Sequence, residues 1–247
     1  MWTILWCLGV IAAALLARPS IQGLMWWTVI AVAPAWISWR RRPKPLLAAT
    51  DLLPLEVLMA GAHGVPGRGL TVQRFGANAA PGIEGERRTA RLIEASVLPG
   101  LPAARLINGL RWPGTRAADI DHVVLAGNRI AVIDSKLWTD GKYSWDNSRL
   151  LRDGVDMEPF KLIAAVNSLR AKFPGFEIHG WVVLHSRNGD PNRPFIAPHS
   201  DPWRGGTGVA LVSAATLPVS VHAFLAGGTQ PHMVEVRALK SLLSGMV

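Results

Sequence analysis

The order of apolar runs along this sequence predicts a domain of mixed helices and strands, α/β or α+β, preceded by a pair of transmembrane helices. Three observations carry that prediction. Residues 1–39 hold no acidic residue, a single basic one (Arg18), and six of the eleven tryptophans. After residue 46, short runs with β character alternate with runs of helical periodicity. Clusters of Pro and Gly separate those runs and supply the breaks that turns require.

In the N-terminal part, residues 2–17 form an uncharged apolar run, Arg18-Pro19-Ser20 interrupts it, and residues 21–39 form a second run ended by Arg40-Arg41-Arg42-Pro43-Lys44. At ~1.5 Å per helical residue the second run reaches ~28 Å, close to the ~30 Å hydrocarbon thickness of a bilayer. No basic residue precedes the first run, as a cleaved signal peptide would require. The expectation is a transmembrane helical hairpin over 1–45, with spans at about 2–17 and 21–39. A basic cluster stays on the cytoplasmic side. That places the chain as a multi-pass protein of the inner or plasma membrane, in contact with lipid through residues 1–39, with its N-terminus and C-terminal domain both cytoplasmic.

The formal net charge of +9 is concentrated in the same place. Arg18, Arg40, Arg41, Arg42 and Lys44 account for five positive charges, which leaves 21 basic against 17 acidic groups in residues 46–247. That mild excess permits a polyanionic partner without demanding one. The single cysteine, Cys7, excludes an intrachain disulfide framework and a cysteine zinc site.

Residues 46–80 read as a linker with a short helix at 52–60 and a glycine-rich loop at 61–69. A helix follows over 84–97, its partly apolar face supplied by Ile83, Ala90, Leu92, Ile93 and Val97, and Pro99, Gly100 and Pro102 stop it. A strand is expected at 105–110. Two further strands, 120–125 and 130–136, flank Gly127-Asn128, a good two-residue hairpin turn. The polar stretch 138–151 suits another short hairpin. A helix at 159–173, a strand at 181–185, a Pro/Gly loop at 188–208, a strand at 209–212 and helices at 216–225 and 234–243 complete the order.

The chemistry concentrates in the central hairpin. With Gly127-Asn128 as the turn, facing residues have numbers that add to 255, so Asp121 lies opposite Asp134 and Asp119 opposite Lys136. Alternation then puts Lys136 on the same face as Asp134. Two carboxylates directly across a sheet repel, and Val123, Val124, Ile130, Val132 and Ile133 are apolar on both faces, as in a sheet covered on both sides. Something must offset the charge. A divalent cation does so, since hard cations take oxygen ligands; a solvated Asp134–Lys136 pair on an exposed face is the competing arrangement.

An acid followed by Asp-x-Lys on the adjacent strand resembles the PD-(D/E)xK nuclease superfamily. The further sequence of Gly82-Ile83-Glu84-Gly85-Glu86, Asp119-Ile120-Asp121-His122 and Ile133-Asp134-Ser135-Lys136 is similar to the nuclease-related domain, NERD. The resemblance implies a restriction-endonuclease-like mixed sheet flanked by helices over 81–247. It implies Glu86, Asp121, Asp134 and Lys136 as the catalytic set. Asp121, Asp134 and the Ser135 carbonyl would hold Mg²⁺ or Mn²⁺, with Glu86 joining through a water and Lys136 orienting the attacking water. Arg87, Arg88 and Arg116 are candidates for contacting nucleic acid.

The function expected is therefore a membrane-anchored, metal-dependent nuclease that hydrolyses phosphodiester bonds, of DNA in the first place, on the cytoplasmic side. The alternative is a catalytically inactive nuclease-fold module that binds nucleic acid or a protein partner at the membrane. Two features motivate it: the modest charge of the domain, and Glu158-Pro159-Phe160-Lys161-Leu162, where the family often carries a glutamine.

Overall fold

In the computed structural model the described residues are 53–112, 119–146, 149–157, 161–197 and 208–246. They belong to one unit, Leu53–Val247, distinct from a unit Met1–Leu52 that lies outside the described residues. Its centre is a six-stranded mixed sheet in the order β1-β2-β3-β4-β8-β10. The strands are β1 (Ala62–His63), β2 (Arg105–Arg111), β3 (Asp119–Ala126), β4 (Arg129–Trp138), β8 (Glu177–Ser186) and β10 (Val209–Ser213). The β2-β3-β4 part is antiparallel, while β1 joins β2, β8 joins β4 and β10 joins β8 in parallel.

Strand alternation feeds two apolar layers. Val123, Leu125, Ile130, Val132, Ile178 and Val182 point into one cluster, with Leu162, Val166 and Leu169 of α4 (Leu162–Lys172) and Leu239 and Leu242 of α6 (Val236–Leu243). Val124, Ala131, Ile133, Trp181 and Val183 point into the other, with Ala90 and Ile93 of α3 (Ala79–Ser96) and Val221 and Leu225 of α5 (Leu217–Ala226). Helices cover both faces, which is why the central strands read as nearly continuous apolar runs. A smaller sheet, β7-β6-β5-β9, is built from β5 (Lys142–Asp146), β6 (Arg149–Arg152), β7 (Val155–Met157) and β9 (Phe195–Ile196). One short hairpin was expected at 138–151, where β5 and most of β6 fall; β7 lies beyond it, and β9 comes from the stretch expected as the 188–208 loop.

The α/β mixed sheet flanked by helices matches expectation; the membrane part does not. The spans expected at 2–17 and 21–39 lie outside the described residues. Among the described residues no helix is long and apolar enough to cross a membrane. The transmembrane hairpin, the multi-pass inner-membrane placement with cytoplasmic termini, and the membrane as a partner through residues 1–39 are corrected accordingly. They form no part of the fold described here.

Two local features position the site. The hairpin turns at Gly127-Asn128 in the expected register, Ala126 facing Arg129 and Val123 facing Val132. Gly127 has φ +51°, and a Cβ there would run into the Thr229 carbonyl, so glycine is required. Helix α3 begins at Ala79, earlier than the expected 84, with Pro81 inside its first turn, where a proline costs no helical hydrogen bond. Glu86 therefore sits two turns into the helix, buried, and not at the dipole-favoured first turn. The segment expected as a linker also belongs to the unit. It supplies α1 (Leu55–Met59), β1 and α2 (Val72–Phe75), and the Arg105 guanidinium holds it by donating to the Leu58 carbonyl.

Candidate functional site

The antiparallel ladder between β3 and β4 ends at His122 facing Ile133. Beyond it β3 keeps pairing with β2 as far as Asp119 facing Arg111, and β4 keeps pairing with β8 as far as Trp138 facing Ser186. Asp119 therefore lies against Arg111, and the expected Asp119–Lys136 opposition is not formed. Where the ladder stops, the Asp121 side chain substitutes for a backbone acceptor: its Oδ2 takes the Ser135 N–H at 2.7 Å.

Helix α3 crosses above this point. Its Gly85 packs against β4 at Leu137, where a Cβ would lie in ordinary contact at 3.5 Å. Glu86 then turns inward, only 7% exposed. Its Oε2 accepts the Gly67 N–H at 2.6 Å, and Gly67, at φ +78°, adopts a conformation that favours glycine. Lys136 Nζ sits 2.6 Å from Asp134 Oδ2. The expected quartet Glu86, Asp121, Asp134 and Lys136 is thus one electrostatic cluster.

The cluster resolves its own charge. Burial, with the Asp134 charge added, pushes the Asp121 carboxyl well above the usual carboxylate range, while Lys136 and the Ser135 N–H pull the other way. Burial pushes Glu86 up to about 7, against the Gly67 bond, with Asp134 adding to the rise. For Lys136, burial disfavours the ammonium, but Asp134, Asp121 and Glu86 outweigh it and hold it charged above its ordinary value. Ordinary pairing and proton uptake offset the repulsion that facing carboxylates create.

This overturns the cation expected there. Each acid spends an oxygen on a protein donor, Gly67, Ser135 or Lys136. Among the described residues no three His, Cys, Asp or Glu side chains form a group able to hold a metal ion. The donor set does not fit Mg²⁺ or Mn²⁺, so the metal roles of Asp121, Asp134, Glu86 and the Ser135 carbonyl are corrected. The metal-dependent nuclease reading and the Mg-dependent hydrolase class fall with them.

Beneath the cluster runs a buried polar chain that sequence reasoning missed. Asn108 of β2, His122 of β3, Ser135 of β4 and His185 of β8 each contribute one side chain, and Thr89 of α3 joins them. Asn108 Oδ1 is 2.7 Å from His122 Nδ1, His122 Nε2 is 3.1 Å from Ser135 Oγ, Ser135 Oγ is 2.8 Å from Thr89 Oγ1, and Thr89 Oγ1 is 2.7 Å from His185 Nε2. Burial lowers His122 to about 3 and His185 to about 4, so both rings are neutral. The Asn108 amide nitrogen donates to the His63 carbonyl, which leaves its oxygen for His122; Nδ1 therefore carries the ring proton, and the Ser135 hydroxyl donates its own proton to Thr89 Oγ1. The chain ties the helix bearing Glu86 to the strands bearing Asp121 and Lys136. Thr89 could have been found as the residue one helical turn after Glu86; Gly67, in a distant loop, leaves no local signal.

A cleft of about 360 Å³ opens over the cluster. Its walls include Glu86, Asp121, Lys136, Trp138, Asn78 and Arg187. Arg187, exposed just past the end of β8, was also missed. Of the expected nucleic-acid contacts, Arg87 is exposed. Arg88 donates to Glu84 at 2.8 Å and to the Ser186 carbonyl at 2.7 Å. Arg116 lies outside the described residues.

Residues 81–185 match the nuclease-related domain, NERD, so this stretch carries a domain of the PD-(D/E)xK-related nuclease superfamily. The match covers the helix, the hairpin and β8 that frame the site. No curated protein and no solved structure matches the chain.

Proposed function

We propose that this chain is a nuclease-fold module that binds nucleic acid at the cleft over β3 and β4 without metal-dependent cleavage. The observation that carries the reading is the Lys136 ammonium seated 2.6 Å from Asp134, so that a lysine offsets the charge for which a divalent cation was expected. A site that neutralises itself has less to gain from a metal. With Lys136 paired to Asp134, Arg187 in the cleft wall supplies positive charge for a phosphate backbone. The nuclease-related fold over 81–185 supports nucleic acid as the partner by analogy of fold.

The test uses the full chain with labelled DNA and RNA oligonucleotides, followed by fluorescence anisotropy in EDTA and in Mg²⁺ or Mn²⁺, with cleavage read on gels. The expected result is metal-independent binding that weakens steeply with salt, and intact oligonucleotides. Cleavage that Asp134→Ala and Lys136→Ala abolish, or absence of binding at low salt, overturns the proposal.

A further inference from the structure

The cleft has a size and a lining that discriminate among nucleic acids. At about 360 Å³ it lies at the small end of the ~300–1,000 Å³ range of ligand pockets. Its lining is divided by chemistry. Arg187 brings positive charge, Glu86 and Asp121 bring carboxyls beside the Asp134-paired Lys136, Trp138 brings an aromatic ring, and Leu70 and Leu137 bring apolar surface. The Tyr143 ring stacks on Trp138 with centroids 5.4 Å apart and planes 27° apart. Tyr143 is itself fully buried, and its hydroxyl donates to the Thr139 carbonyl at 2.8 Å. The indole is therefore backed by a fixed support and contributes to a rigid wall. Asn78 adds an amide that can pair with a base edge.

A cation for phosphate beside an aromatic for a base is the combination that unpaired nucleotides use, because base and backbone are then presented together. In a duplex the base faces are stacked on their neighbours and the edges are paired, so the aromatic and apolar walls would meet nothing they could cover. At about 360 Å³ the cleft has room for one nucleotide.

We infer that the cleft takes a single unpaired nucleotide of a single-stranded nucleic acid, with its base against Trp138 and its phosphate toward Arg187. The inference rests on the nucleic-acid binding proposed above and narrows its substrate class. It makes Trp138 the residue that separates single strands from duplexes.

The experiment is a competition with full chain and a labelled twelve-residue oligothymidylate in EDTA. The competitors are the same strand unlabelled, a blunt duplex of equal length, and an abasic strand that keeps the backbone and lacks the bases. The single strand is expected to compete at least tenfold better than both the duplex and the abasic strand. Trp138→Ala should reduce the affinity for the single strand to that for the abasic strand, and Trp138→Phe should retain most of it. The wild-type comparison with the abasic strand stands even if Trp138→Ala fails to fold. Equal competition by duplex or abasic strand overturns this inference and leaves general nucleic-acid binding intact. Failure of every probe to bind overturns the proposed function and the inference with it.

Discussion

Replacing Glu86 by glutamine tests the electrostatics of the site directly. Glu86 is 7% exposed, and burial raises its carboxyl from 4.5 to about 7. At ~1.4 kcal/mol for each tenfold change in proton affinity, that rise corresponds to about 3 kcal/mol. The folded protein holds the proton more tightly than the unfolded chain. The contribution is therefore fully present below pH 4.5, declines as pH rises, and is lost above pH 7, where the folded carboxylate is ionised as well. Glutamine has nearly the same shape, keeps an oxygen for the Gly67 N–H, and never ionises. Glu86→Gln should leave stability near pH 4 almost unchanged and raise it at pH 8 by up to about 3 kcal/mol. The assay is urea denaturation of both full-length proteins across pH 4–8, with the difference between them isolating Glu86 from the other titrating groups. A difference that is flat with pH, or a variant less stable than wild type at pH 8, refutes the reasoning.

The same titration reaches the cleft. Affinity for a single strand should tighten by about threefold to tenfold from pH 8 to pH 6 as Glu86 loses its negative charge, and Glu86→Gln should flatten that dependence in an anisotropy titration. Asp134→Asn removes the charge that helps raise Glu86 and Asp121; the Glu86 midpoint, read by carboxyl NMR, should fall below 7. Thr89→Val leaves Ser135 Oγ and His185 Nε2 without their shared partner and should cost about 2 kcal/mol of unfolding free energy. Gly67→Ala puts a Cβ 2.9 Å from Ile83 at φ +78°, which should cost about 1–2 kcal/mol in the same denaturation assay.

Much of the local structure is legible in the residues alone. Alternating apolar positions and the Gly127-Asn128 turn establish the hairpin and its register, because strand side chains repeat every second residue and a one-residue slip would turn every core side chain outward. That register is enough to bring Asp121 and Asp134 to one edge. Helix α3, β8 and the later helices are visible in the same way, within a few residues at their ends. The small sheet of 142–157 and 195–196 is not, since its turn-rich strands carry little apolar period and gain their order from the Tyr143 and Leu150 side chains packed into the main core.

How the facing acids are neutralised is decided only in three dimensions. Spacing shows that two carboxylates meet and need compensation, and it allows a metal or a lysine equally. The choice falls to contacts that no local pattern encodes: Gly67 reaching Glu86 from nineteen residues away, the ladder stopping so that Ser135 donates to Asp121, and Lys136 closing on Asp134. The sequence by itself determined which residues gather at this edge of the sheet, because short-range periodicity governs facing. The tertiary structure alone decided what they do to one another, because burial and distance set the energy of every charge brought there.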